Sequence, residues 1–498
     1  MANFPLVYFS VGVLALFPGV MPSVCFGQVA ADSPRLSPLV KVIRNMESSA
    51  VALFVPTKGG LVSGTGTLIH PSGFVLTNNH VLPTNEGLAL IGTDLPEHQK
   101  PEPFRVVGRL PEKDLAIVKL RSHGPFPAVP LGRSHDVMNG ETVVVAGNPG
   151  GRGLVFTSGI ISAKSVLSGA PNALVMTNYR DSRRDTYIQF DAASNGGNSG
   201  GGLINMDGQL IGVVWGGIRQ EQNVGYAIPV DVVHQLIDEI LEPEIRSGKW
   251  LGLQLKQDEF SAVVSHVVAD SPAMEAGILS GDQLLAVNGQ TLRHRVDWFL
   301  ELSRLLAAGR PFGISLKRNE QAIDLTIRPI ALKPEAASVD VNESELKPGL
   351  KFDFYHGHYS LVPNFDNVKP ERSGVVATVD LNTMRQDRKD ELAIRLQGYL
   401  KVPQDAVYRL IIQSDDGSKV SLNGRLVIDH DGNHHSLPRG KMLYLAKGLH
   451  ALQIEYFEGN GAEDLQLLIE SPAIRESLEK PITVPADMLW HREQAFEK

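Results

Sequence analysis

From Ala50 to Pro229 the chain is written in short apolar runs broken by Gly, Pro and Asn. Val143-Val144-Val145-Ala146 and Leu210-Ile211-Gly212-Val213-Val214-Trp215 are examples. Runs this short suit strands, and they are not separated by helical periods as βαβ units would be. The region therefore predicts antiparallel barrels. Val230 to Ile240 carries apolar residues at helical spacing and predicts one closing helix. With 498 residues the chain exceeds one core, so about two to four domains are expected. A net charge of -8, with no basic run, excludes a general nucleic-acid binder.

Residues 1–31 read as a targeting segment. Phe4 to Val29 is uncharged and mostly apolar, and Val29-Ala30-Ala31 offers small residues before a cut ahead of Asp32. No Lys or Arg precedes the stretch, and its length would let an uncut segment span a bilayer. Pro18 and Pro22 interrupt a continuous helix. A cleaved signal peptide and a retained membrane anchor both stay open, and either puts the folded part outside the cytoplasm. Cys25, the 1 cysteine, falls inside this segment, so the rest of the chain must rely on large cores rather than disulfides. Val24 before it is bulky for a lipidation site.

The chemistry concentrates in Asn195-Gly196-Gly197-Asn198-Ser199-Gly200-Gly201. A serine is a weak nucleophile until a base takes its proton and N–H donors hold the developing oxyanion. Glycines let the backbone turn sharply and aim such donors inward. The oxyanion hole is expected within Gly197, Asn198 and Ser199, with the N–H groups of Gly197 and Ser199 as its donor pair. His80, in Thr77-Asn78-Asn79-His80-Val81, is the expected base. Asp114, opening Asp114-Leu115-Ala116-Ile117-Val118, is its expected orienter. The order His80, Asp114, Ser199 is the chymotrypsin-type order. Each context alone is more often a turn, a structural histidine or a cap.

The flanking sequence adds Ser63-Gly64-Thr65-Gly66-Thr67, Gly147-Asn148-Pro149, Thr157-Ser158-Gly159-Ile160 and Gly225-Tyr226-Ala227-Ile228-Pro229. Together with the triad these resemble the HtrA/Deg family of serine proteases over roughly the first two thirds of the chain. The resemblance implies a mainly β fold: a chymotrypsin-like double β-barrel over 39–242, with the active site in its cleft. It implies no cofactor for proteolysis. The loop Pro56-Thr57-Lys58-Gly59-Gly60 is short where cage-forming members have a long one, so a cage is not expected, while a homotrimer stays open. In this fold the substrate pocket falls on Ala193 and on the following strand, Val213, Val214 and Trp215. No acid stands at Ala193, and small or medium apolar side chains are the expected preference. Asp191 reads as a structural carboxylate.

Residues 248–330 resemble a PDZ domain. The resemblance rests on Leu251-Gly252-Leu253-Gln254-Leu255, Ser271-Pro272-Ala273, Ala276-Gly277-Ile278, Gly281-Asp282-Gln283 and Val287-Asn288-Gly289. It implies that the turn at Leu251, Gly252 and Leu253 holds a C-terminal carboxylate, while the peptide adds as a strand. A helix over Arg295 to Leu306 would form the other wall of the groove. The alternative is a β-rich spacer with no ligand. The short join Glu244 to Lys249 would let a bound peptide bias the protease.

A linker is read over 331–348. Strand alternations broken by Asp-Gly and Asn-Gly turns then indicate a β-sandwich over 349–485. Ser414-Asp415-Asp416-Gly417-Ser418, Leu422-Asn423-Gly424 and Ile454-Glu455-Tyr456-Phe457-Glu458 resemble the protective-antigen-type domain of glycan-active proteins and adhesins. Adjacent carboxylates at Asp415 and Asp416 suit a hard cation such as Ca²⁺, with Asn460 as a third ligand; the alternative is a solvated, self-capped turn. His430, His434 and His435 match no zinc spacing and read as a solvated loop.

The reading is an extracytoplasmic serine endopeptidase acting on unfolded polypeptides, with C-terminal peptides at the PDZ unit and a glycan or cell-surface ligand at the sandwich. A peptide-binding scaffold with little turnover, and a signalling protease with one partner, are the alternatives.

Overall fold

The structure is a computed structural model that describes residues 33–492 apart from 58, 94–99, 168–185, 217–222, 339–342, 388, 472 and 475–480. The expected signal or anchor, with Cys25, lies outside the described residues. Among the described residues no helix is long and apolar enough to cross a membrane.

The apolar runs form two closed six-stranded barrels. The first holds β1 (Ala50–Thr57), β2 (Gly60–His70), β3 (Phe74–Asn78), β4 (Glu86–Ile91), β5 (Glu102–Leu110) and β6 (Leu115–Leu120). The second holds β7 (Thr142–Gly147), β8 (Val155–Leu167), β9 (Thr186–Phe190), β10 (Gly202–Asn205), β11 (Leu210–Gly216) and β12 (Gly225–Pro229). Both are antiparallel, the mainly β, chymotrypsin-like architecture expected from the sequence. β1 and β2 pair out to Thr57 and Gly60, so the connection between them is a tight hairpin. Each barrel fills its own interior, one around Leu53, Val75 and Phe104, the other around Val145, Ile188 and Phe190.

One helix was not legible. α1 (Pro38–Glu47) starts at Ser37, whose hydroxyl accepts the Val40 N–H at 3.3 Å, with Pro38 in the first turn. It buries Val42 and Met46 against the seam between the barrels. The closing helix α2 (Val230–Leu241) does the same with Val233, Ile237 and Ile240. A short helix α3 (Pro243–Ser247) then leads into β13 (Lys249–Trp250), β14 (Leu253–Leu255) and β15 (Val264–Val267). After α4 (Pro272–Glu275), α5 (Arg295–Ala308) packs on α2 and α3. Arg295 is buried there, its Nη2 donating to Asp238 Oδ1 at 2.6 Å and its Nη1 to the His234 carbonyl at 2.5 Å. The second unit is therefore welded to the barrels, sharing Val296 and Leu300 with their common core.

The C-terminal unit is a sandwich of an eight-stranded and a four-stranded sheet around Leu396, Tyr408, Leu410, Ile454 and Leu467. Its first sheet is extended by Leu346–Pro348 pairing with Leu489–Arg492, outside the expected 349–485. The segment read as a linker is not free: Glu335 bridges to Leu445, and the Ser338 N–H donates to the Leu449 carbonyl at 2.7 Å. The strand Leu437–Leu445 packs on the turn Pro111–Lys113, which leads into Asp114.

Candidate active site and two carboxylate-handling sites

β3 ends at Asn78, and the chain turns through Asn79–Val81, presenting His80 at the cleft. Asp114 stands at the mouth of β6 in the left-handed region, φ 51° and ψ 38°. Aspartate tolerates that conformation better than most residues. There it meets His80 twice: Oδ1 accepts the His80 backbone N–H at 2.9 Å, and Oδ2 lies 2.6 Å from Nδ1. The short second contact suits a charge-assisted bond that fixes the imidazole's tautomer. Asn78 Nδ2 and the Asn79 N–H both donate to the Asp114 carbonyl, at 3.0 and 3.1 Å. Arg109 holds the far side, donating to Asn79 Oδ1 at 2.8 Å and to the Thr84 carbonyl at 2.8 Å.

The nucleophile loop crosses from the second barrel and is pinned by β2. The Thr65 N–H donates to the Ser199 carbonyl at 3.0 Å. The Thr65 hydroxyl donates to the Gly197 carbonyl at 2.6 Å and accepts the Asn148 N–H at 2.9 Å. Gly200 (φ 83°) passes so close to Thr77, Thr65 and Asn78 that a Cβ would not fit. Ser199 thus sits against the end of the strand that delivers His80. Its hydroxyl donates to the Trp215 carbonyl at 3.1 Å.

Gly197 has φ 105°, open to glycine alone at low strain, and a Cβ there would meet the Asn148 carbonyl. Among the described residues neither the Gly197 nor the Ser199 N–H has a protein acceptor. Asn198 does not join them, because its N–H donates to the Asn195 carbonyl at 3.1 Å inside the turn. Its side chain is buried, with Nδ2 3.4 Å from the Ala193 carbonyl.

The expected pocket divides. Ala193 is exposed beside the loop, and Trp215 is 41% exposed with its ring 5.6 Å from that of Tyr187. Val213 and Val214 are corrections. Their side chains turn into the two cores, because successive residues of β11 face the seam and the barrel interior. Gly216, which the sequence reading passed over, takes their place: a Cβ there would lie 4.0 Å from Ser199 Oγ. Asp191 is structural as read, with Oδ1 accepting the Ile160 N–H at 2.6 Å.

In the second unit the turn at Leu251 and Gly252 holds a carboxylate of its own chain. Glu244 Oε1 accepts the Leu251 N–H at 2.8 Å and the Gly252 N–H at 3.4 Å. Leu253 pairs with Val267 in the two-stranded ladder of β14 and β15.

In the sandwich, Asp415, Asp416 and Glu458 each bring a carboxylate oxygen within 4.8 Å of the others. Glu458 joins the two aspartates, and Asn460, the expected third ligand, is exposed two residues further on. Asp416 accepts the His434 and Gly459 N–H groups at 3.0 Å each, and Asp415 Oδ2 the Ser436 N–H at 2.9 Å. Glu458 Oε1 is buried without a partner. Burial first, then the Asp416 charge, pushes the Glu458 carboxyl up to about 8, and burial raises both aspartates. An orphaned carboxylate oxygen among three crowded acids fits a hard cation. The histidine loop is not solvated throughout: His430 is buried and stacks on His434 at 3.9 Å.

The fold and these three sites define a trypsin-like peptidase unit joined to a small unit built of β-strands and helices and a sandwich. Family models agree: residues 64–213 match the trypsin-like peptidase domain, 263–317 the PDZ domain and 346–480 the PA14 domain. Over its first two units the chain is similar to proteins described as DegP-like serine endoproteases. It is 29% identical over 350 residues to a probable periplasmic serine endoprotease DegP-like of Brucella suis, covering 66% of this chain and 63% of that protein. It is 34% identical over 250 residues to the Chlamydia pneumoniae protein of the same description, covering 47% of this chain and 48% of that one. The chain thus spans under two thirds of the length of these relatives. A serine endoprotease structure from Yersinia pestis aligns at 24% identity over 60% of this chain and 98% of that one, with a TM-score of 0.34.

Proposed function

We propose that this chain is an extracytoplasmic serine endopeptidase that cuts unfolded polypeptides. The observation that carries the proposal is the 2.6 Å contact of His80 Nδ1 with Asp114, beside a serine loop whose two N–H groups have no protein acceptor among the described residues. Asp114 keeps the proton on Nδ1, which leaves Nε2 free to take the Ser199 proton. For attack the Ser199 hydroxyl turns from the Trp215 carbonyl to that nitrogen, a rotation between staggered wells. The oxygen then adds to the scissile carbonyl, and the N–H groups of Gly197 and Ser199 hold the resulting oxyanion. His80 returns the proton to the leaving amine. Ala193, Gly216 and Trp215 flank the serine and support a preference for small or medium apolar side chains.

Periplasmic relatives support the location outside the cytoplasm. The sandwich serves as a docking unit, with Asp415, Asp416 and Glu458 holding a cation that would bridge to glycan hydroxyls. Incubation of the chain with denatured casein tests the enzymatic reading. The parent should cut it, and Ser199→Ala should lose about 10⁴-fold or more in turnover while keeping its fold. Near-parental cutting by Ser199→Ala would remove the assignment.

A further inference from the structure

The N–H groups that the sequence marks for a peptide's terminal carboxylate already hold one. Glu244 lies in α3, seven residues before Leu251, and its Oε1 takes both the Leu251 and the Gly252 N–H. The turn is built for this. Leu251 is fully buried, and Gly252 adopts φ 76° so tightly against Ser271 and Trp250 that no Cβ would fit. The two N–H groups therefore converge on one point. No ion pair compensates the Glu244 carboxylate among the described residues, and burial pushes its pKa up. Its bonds to the turn are what hold it there.

The surroundings repeat the pattern of an occupied groove. α3 packs on α5, the helix expected to form the groove's other wall. β14 pairs with β15 on one edge and has no strand on the other among the described residues. A peptide strand has an open edge to join but finds the carboxylate end filled. Two carboxylates cannot share one pair of N–H donors, and like charges at that distance repel.

We propose that Glu244 is the resident ligand of the PDZ carboxylate turn, and that a peptide's free C-terminus enters only by displacing it and lifting α3. The proposal rests on reading Leu251 to Leu253 as a carboxylate turn and is independent of proteolysis. It predicts that an unfolded chain with an ordinary C-terminus meets a closed receptor, opened by peptides whose strand contacts outweigh the internal bond.

The test uses the full chain carrying Ser199→Ala, so that no peptide is cut. Octapeptides with a free carboxylate and every apolar residue at the last position, and their C-terminal amides, are titrated by fluorescence anisotropy. The best binder should gain about tenfold or more in affinity on Glu244→Ala and less on Glu244→Gln, whose amide oxygen still accepts from the turn. The amides should bind neither variant. Hydrogen exchange on the chain without these variants should show saturating peptide speeding exchange across Pro243–Ser247 while slowing it in β14. Equal affinity for the chain with and without Glu244, no binding to Glu244→Ala at all, or an α3 whose exchange ignores peptide would each overturn the proposal.

Discussion

The serine loop and the PDZ turn solve the same problem in opposite ways. Each carries a glycine at positive φ, Gly197 at 105° and Gly252 at 76°, beside a pair of backbone N–H groups suited to an anionic oxygen. In the loop, the Gly197 and Ser199 donors have no protein acceptor among the described residues. In the turn, Glu244 supplies one at 2.8 Å. Gly197 and Ser199 are half-exposed, and a rigidly held donor pair of this kind suits a developing oxyanion. Thr65 supplies that rigidity, its hydroxyl tying the Gly197 carbonyl to the Asn148 N–H. At Leu251 and Gly252 the chain fills the pair itself.

Changing the open site should have the larger effect. Gly197→Ala puts a Cβ against the Asn148 carbonyl and turns the donor away. Losing one oxyanion donor should lower kcat by roughly 10²–10³-fold with little change in KM. Steady-state kinetics on an unfolded substrate check this, and an unchanged kcat would mean that the Gly197 N–H is not a donor in the transition state.

A smaller effect separates both N–H sites from the acidic cluster, where carboxylates crowd with few donors. The Glu458 carboxyl sits near 8, above the usual glutamate range. The folded state therefore holds that proton more tightly than the unfolded chain does, and stability falls as pH rises from about 4.5 to about 8. A cation competes with the proton and reverses the trend. Ca²⁺ affinity should rise about tenfold or more between pH 6 and 8, with the largest gain in Tm at the alkaline end. Calorimetry and melting with Asp415→Ala, Asp416→Ala alongside would show it. A Tm indifferent to millimolar Ca²⁺ at pH 8 would leave the cluster without a cation role.

The sequence carried the strands well because their apolar runs are short and punctuated, and the closing helix because its period is clean. α1 escaped because Pro38 to Glu47 mixes polar and apolar residues, and its burial depends on a seam formed by distant strands. The His80, Asp114 and Ser199 contexts were legible as motifs, each lying on a turn with its own local signature. Val213 and Val214 misled because apolar residues beside a cleft look alike in sequence whether they line it or fill the core. Glu244 and Glu458 were invisible for the opposite reason. A single acid gains its meaning only from the N–H groups or carboxylates that folding brings to it. Thr65 had a faint signal, a hydroxyl residue between glycines in the buried half of β2.

The central claim is that the open donor pair, His80 and Ser199 form one working site. A biotinylated fluorophosphonate measures this directly, since it phosphonylates a serine only when base and oxyanion donors act together. The account predicts that the adduct maps to Ser199 by mass spectrometry, that Gly197→Ala slows labelling, and that His80→Ala abolishes it. Labelling that persists in His80→Ala, or a folded parent chain that takes up no probe, would contradict it.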